Sequence, residues 1–152
     1  MKTIRYEVQI NAPVAHVYKT MLGLDNKNTY NAWTTAFNPT STYEGSWQEG
    51  SKILFIGTDE NGNKGGMISK IVKHQPNQFV SIEHYGVLEN DTEILEGPKV
   101  EAWAGGHENY SFSEQDGITT VTIELDAVED YLDFFNTTYP KALELLKSIC
   151  AT

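Results

Sequence analysis

The sequence predicts an α+β chain in which a mostly antiparallel sheet is covered by one long C-terminal helix. Three observations carry this expectation. Ile4, Tyr6, Val8 and Ile10 alternate with Arg5, Glu7 and Gln9, the period of a strand that buries one face. The middle of the chain is punctuated by Asn61-Gly62, Pro76-Asn77 and Asp116-Gly117 between short apolar runs, the pattern of successive hairpins. Tyr131, Phe134, Phe135, Thr138, Tyr139, Ala142, Leu146 and Ile149 then recur at three-and-four spacing over Glu129 to Cys150, which is a helical stripe.

The elements follow in order. After the first strand, Pro13 suits the first turn of a helix in which Val14, Val17, Tyr18, Met21 and Leu22 share a face. Gly23 supplies its stop. A shorter helix is expected around Tyr30 to Phe37, ended by Asn38-Pro39. Strands are expected at Thr42 to Trp47 and Lys52 to Gly57, then a turn over Asp59 to Asn63, where Asn61-Gly62 accepts positive φ. Gly66 to Lys73 is the return strand and Phe79 to Val87 the next. Glu89 to Lys99 is polar and contains Gly97-Pro98, so it reads as a long loop or a ragged hairpin end. Val100 to Phe112 is expected as a strand bent at Gly105-Gly106, and Thr119 to Leu125 as a strongly amphipathic one. Pro140 is expected to kink the terminal helix, because it removes a backbone donor.

Composition bounds the function. A chain of 152 residues suits a single domain spanning 1–152. It is 39% hydrophobic and 21% charged, a globular balance, and its three Trp, eight Tyr and six Phe either fill a thick core or line a pocket. Eleven basic against twenty-one acidic residues give a formal charge of -10. That field repels nucleic acid and disfavours anionic membrane surfaces. Cys150 is the one cysteine, so an intrachain disulfide is excluded. No apolar run matches a signal peptide or a membrane span, and the expected address is the cytoplasm.

Several strings, in their order, resemble the START-like or SRPBCC superfamily, whose helix-grip fold is that of the birch-pollen allergen. Within it the chain is similar to the group related to the activator of the heat-shock protein 90 ATPase. The strings are Ile10 to Val14 with Val17-Tyr18, and the Gly-x-Trp-x-x-Gly turn inside Tyr43 to Ser51. Gly66-Met67-Ile68 with Pro76 to Val80 follow, then Glu108 to Phe112 through Gly117 with Thr119 to Leu125, and Tyr139 to Leu143 with Leu146-Lys147. The resemblance implies a curved antiparallel sheet wrapped around the C-terminal helix, with one or two short helices after the first strand. It implies that a ligand would lie between sheet and helix, but not which ligand.

On that frame the expected cavity lining is Trp33, Phe37, Trp47, Phe55, Met67, His84, Trp103, His107, Tyr110, Phe135 and Tyr139. The aromatic side chains would either enclose one apolar chamber or fill the core. His84 and His107 would orient a polar ligand group, transfer a proton, or serve only as hydrogen-bonded wall residues. Glu83, Glu101, Glu108 and Glu124 read as solvated carboxylates of the outer sheet face. His16, His74, His84 and His107 lack metal-ligand spacing, and no phosphate-binding glycine loop or Gly-x-Ser-x-Gly elbow occurs. The expectation is therefore a binder of a small apolar molecule, with no metal, cofactor, nucleic acid or membrane insertion. A cyclase- or dehydratase-type enzyme using His84, His107, Tyr110 or Glu108 is the alternative. A module contacting a chaperone ATPase comes third, and a protein partner or homodimer stays open.

Overall fold

The computed structural model describes residues 1–151. Strand β1 (Lys2–Ile10) is followed by helices α1 (Val14–Leu22) and α2 (Lys27–Thr34). Strands β2 (Thr42–Gly45), β3 (Lys52–Thr58), β4 (Lys64–Gln75), β5 (Phe79–Glu89) and β6 (Thr92–Ile94) come next. A one-turn helix α3 (Pro98–Glu101) precedes β7 (Gly106–Gln115) and β8 (Ile118–Ala127). A 3-10 turn at Glu129–Tyr131 leads into α4 (Leu132–Cys150). The strands form one antiparallel sheet in the order β1-β8-β7-β5-β4-β3-β2, with β6 paired to β5. This is the expected curved sheet gripping a long terminal helix.

Local chemistry explains the helix ends. Gly23 takes φ 69 and returns its N–H to the last turn of α1, as a left-handed helix stop requires. Helix α2 starts earlier than the apolar pattern suggested, because the Asn26 side chain accepts the Asn28 N–H at 3.0 Å and caps it. The β3–β4 turn is organised by Asp59, whose Oδ1 accepts the N–H groups of Asn61 and Asn63, and Gly62 alone supplies the positive φ.

Two expectations about strands fail. The strand expected from Thr42 stops at Gly45, so Trp47 lies in the following loop. Val100 to Gly105 is not strand. Pro98 starts α3 at its first turn, Val100 and Trp103 are buried or half-buried by that turn, and Gly105 donates to the His84 carbonyl only after it. The β-branched Val100 reads as strand in isolation, yet Gly97-Pro98 immediately before it is a helix-start signal. The ragged hairpin end is real: Asn90 and Asp91 both adopt left-handed backbone and return the chain as β6.

Strand register builds the core. Val80 and Ile82 of β5, Tyr110 and Phe112 of β7, and Val121, Ile123 and Leu125 of β8 stand in aligned rows on the concave face. Tyr6 and Val8 of β1 extend the rows. Tyr139, Ala142, Leu143 and Leu146 of α4 pack onto them together with Val17, Tyr18 and Met21 of α1. At the β3–β4 pairing the backbones run so close that a Cβ on Gly66 would meet the Phe55 carbonyl oxygen at 2.0 Å; its φ of 153 also suits only glycine. Ile68 faces the other way and joins Leu54, Ile56, Tyr85 and Leu88 in a second, smaller cluster.

Helix α4 continues through Pro140, which is exposed. Leu146 is fully buried while Leu145 is 39% exposed. Leu146→Ala should therefore cost about 2–5 kcal/mol and lower the melting temperature by roughly 4–20 °C. Leu145→Ala should stay within about 0.5 kcal/mol. Calorimetric melting of the two variants checks the orientation of α4.

Candidate functional site

Helix α4 meets the sheet differently along its length. Its C-terminal half packs solidly against α1 and the β1–β8–β7 rows. Its N-terminal half stands off the sheet and encloses a cavity of about 1040 Å³. The walls come from α2 (Tyr30, Trp33), the segment after it (Phe37), β3 (Phe55), β4 (Met67), β5 (His84, Val87), β7 (Glu108, Tyr110), β8 (Leu125) and α4 (Phe135, Tyr139). Trp103, positioned by a bond from its Nε1 to the Lys99 carbonyl at 2.9 Å, reaches it from the α3 turn. Phe134 and Tyr131 form an aromatic rim and are 45% and 55% exposed.

Trp33, Phe37, Phe55, Met67, His84, Trp103, Tyr110, Phe135 and Tyr139 from the expected lining thus share this space. Trp47 and His107 do not. Trp47 lies behind the wall, its ring against Tyr30, Tyr43, Phe55 and Tyr110. His107 sits on the opposite side of β7, where its Nδ1 is 3.1 Å from Ser81 Oγ, because strand alternation turns it away from its neighbour Glu108.

That alternation overturns the reading of Glu108 as solvated. Glu108 shares the inner face with Tyr110 and Phe112, and its register neighbours are Ile82 on β5 and Leu125 on β8. Its side chain is only 16% exposed, and that of His84 only 12%. A carboxylate in such surroundings needs partners. Glu108 Oε1 lies 3.0 Å from His84 Nε2, and Oε2 accepts the Tyr139 hydroxyl of α4. His84 Nδ1 lies 2.6 Å from Ser69 Oγ on β4, which is fully buried. One carboxylate therefore joins β7, β5 and α4 at the floor of the cavity.

The phenols around it respond to their burial. Tyr30, Tyr110 and Tyr139 are held well above the ordinary phenol range, first by desolvation and second by the Glu108 carboxylate. All three are neutral hydroxyls at physiological pH. Their rings are fixed by edge contacts: Tyr30 on Trp33 at 5.7 Å, Trp33 on Tyr110 at 6.4 Å, and Phe37 on Tyr139 at 5.0 Å. Tyr6 stacks on Tyr139 at 5.0 Å and donates to Asn136 Oδ1 of α4 at 2.7 Å. Tyr30, Val87 and Glu108 were not among the expected lining. Glu108 was legible in the spacing Glu108-Tyr110-Phe112; Tyr30, three residues before Trp33 on the same helix face, was legible likewise.

No family model and no curated protein matches the sequence. Solved structures do. Aha1 from Colwellia psychrerythraea, solved as a dimer, superposes with a TM-score of 0.68 at 22% identity, covering 97% of this chain and 94% of that one. CalU16 from Micromonospora echinospora gives 0.64 at 18% identity, over 97% and 73%. Protein NE0264 from Nitrosomonas europaea gives 0.71 at 12%, over 98% and 94%. The chain shares the fold of these structures, a curved antiparallel sheet gripping a long C-terminal helix. At these identities the likeness is one of fold. Among the described residues no helix is long and apolar enough to cross a membrane.

Two titrations test this environment. Tyr30, Tyr110 and Tyr139 should remain neutral in an alkaline ultraviolet titration beyond about pH 10, where an ordinary phenol ionises. Their folded-state values lie above the unfolded ones, so the stability they contribute is complete below about pH 10 and falls as pH rises from there towards the raised values. Urea midpoints at rising pH would check the slope; an unchanged midpoint would contradict it. The Cys150 thiol is pushed up to about 11, first by burial, against a weaker opposing bond from Thr20. Alkylation by iodoacetamide at pH 8 should accordingly be at least tenfold slower in the native protein than in urea.

Proposed function

We propose that this protein binds a small, largely apolar molecule between the sheet and the N-terminal half of α4. The observation that carries the reading is a cavity of about 1040 Å³ with many aromatic side chains in its wall and the hydrogen-bonded group His84–Glu108–Tyr139 at its floor. Such sites enclose a ligand with apolar walls and orient it with a few fixed polar groups. Burying about 300 Å² of apolar ligand surface contributes roughly 7 kcal/mol at 25 cal/mol per Å². Immobilisation costs much of that, which leaves affinities in the micromolar range. The aromatic rim at Tyr131 and Phe134 gives an apolar ligand a route to the interior.

Catalysis is the second reading, favoured by the coupled His84 and Glu108 on the cavity wall. A His–carboxylate couple can carry a proton to or from a bound substrate, as a cyclase or dehydratase requires. Ser69 is not a nucleophile in that scheme, since it is fully buried behind His84 and absent from the wall. Native mass spectrometry separates the readings: a molecule retained unchanged supports the carrier, and one released in altered form supports the enzyme.

Val87 pairs with Met67 in the sheet, and both line the cavity. Val87→Trp should project an indole into the space between Met67 and the aromatic wall and weaken uptake of Nile red, a neutral apolar dye, at least tenfold, with a melting temperature near that of the parent. Dye titration by fluorescence checks this. Uptake unaffected by the added indole would place the binding elsewhere.

A further inference from the structure

Resting on the cavity reading, we infer that the buried end of the ligand is a protonated amine, and that the site discriminates against carboxylates. The argument is a count of protons and charges at the cavity floor. Tyr139 has one hydroxyl proton, and it is committed to Glu108 Oε2. His84 Nε2 faces Glu108 Oε1 at 3.0 Å, and its Nδ1 faces Ser69 at 2.6 Å. These donors point into the wall and not into the cavity. Glu108 offers about four lone-pair positions. His84 and Tyr139 use two, and the side chain keeps 16% of its surface open. Tyr30 and Tyr110 add two hydroxyl protons nearby, yet the partly open carboxylate keeps acceptor positions to which a ligand donor can bond.

Charge selects among donors. The wall contains the carboxylates of Glu108, Asp59 and Asp126, with Glu89 neutralised by its lysine partner. Its lysines, Lys64 and Lys99, are already paired, Lys64 with Glu44 at 2.8 Å and Lys99 with Glu89 at 2.7 Å. An ionised carboxylate placed beside the largely buried Glu108 meets repulsion that water screens only in part. An ammonium meets Glu108 among the rings of Tyr30, Trp33, Tyr110 and Tyr139, and aromatic rings attract cations. A molecule such as a long-chain or aryl-alkyl primary amine satisfies both the apolar wall and this floor. The overall charge of -10 adds attraction at long range.

The test compares decylamine, decanol and decanoate at pH 7 as competitors of Nile red. Decylamine is expected to compete at least tenfold more tightly than decanoate, with decanol between them. The exposed surface is also acidic, so two controls locate the preference. Raising sodium chloride from 50 to 500 mM should leave most of it, because screening acts on exposed charges more than on buried ones. In Glu108→Gln, folded by circular dichroism, it should shrink to less than threefold. Decanoate binding as tightly as decylamine overturns the inference, as does an amine preference that salt abolishes or that survives Glu108→Gln. If Glu108→Gln does not fold, the salt series on the parent protein decides. Failure of Nile red itself to bind would instead remove the cavity reading on which the inference rests.

Discussion

A single carboxylate, facing inward from the middle of a sheet, organises the cavity-bearing half of this molecule. Glu108 stands in a register row between Ile82 and Leu125, where an unpaired charge would be costly. Its bonds to His84 and Tyr139 relieve that cost and in doing so fasten α4 to two neighbouring strands. Tyr139 is held on its other side by the stacked ring of Tyr6. The helix is thereby tied down at its middle, and everything N-terminal to that tie can stand away from the sheet without the helix detaching. Removing one partner of such a buried group costs more than the bond itself, since the other partner is left desolvated and unmatched.

The tie divides the interior into two regimes. Beyond it, Ala142, Leu143 and Leu146 interlock with α1 and the β8 row in a closely packed core. Before it, Phe134, Phe135 and the 3-10 turn carry large rings that span the gap instead of filling it. The facing wall is braced by ring contacts among Tyr30, Trp33, Tyr43, Trp47 and Phe55, which oppose inward collapse of these side chains. Trp47 belongs to this bracing layer, one shell behind the wall. Its importance is to the shape of the cavity and not to contact with what enters.

Much of this was readable in the sequence. Alternation in β1 and β8, the Gly23 stop, the Asn61-Gly62 turn and the helical stripe of α4 each follow from local rules, and the structure repeats them. The failures have physical causes. Val100 and Trp103 are strand-forming residues, but Gly97-Pro98 starts a helical turn before they can pair. Glu108 was placed on the solvent face with the other strand carboxylates, although its period with Tyr110 and Phe112 puts it inside. His107 and Trp47 were grouped with the cavity because they are near it in sequence, whereas strand alternation and the early end of β2 turn them elsewhere.

By itself, the sequence determined the class of every long element, the antiparallel pairing and the identity of the covering helix, because these depend on spacing along one chain. Only the tertiary structure decided how far α4 stands from the sheet and which polar groups meet at the gap. That separation depends on how Tyr139, Glu108 and His84, from three distant segments, satisfy one another where they are largely buried. Such a balance of volume and desolvation has no counterpart in any local stretch of residues.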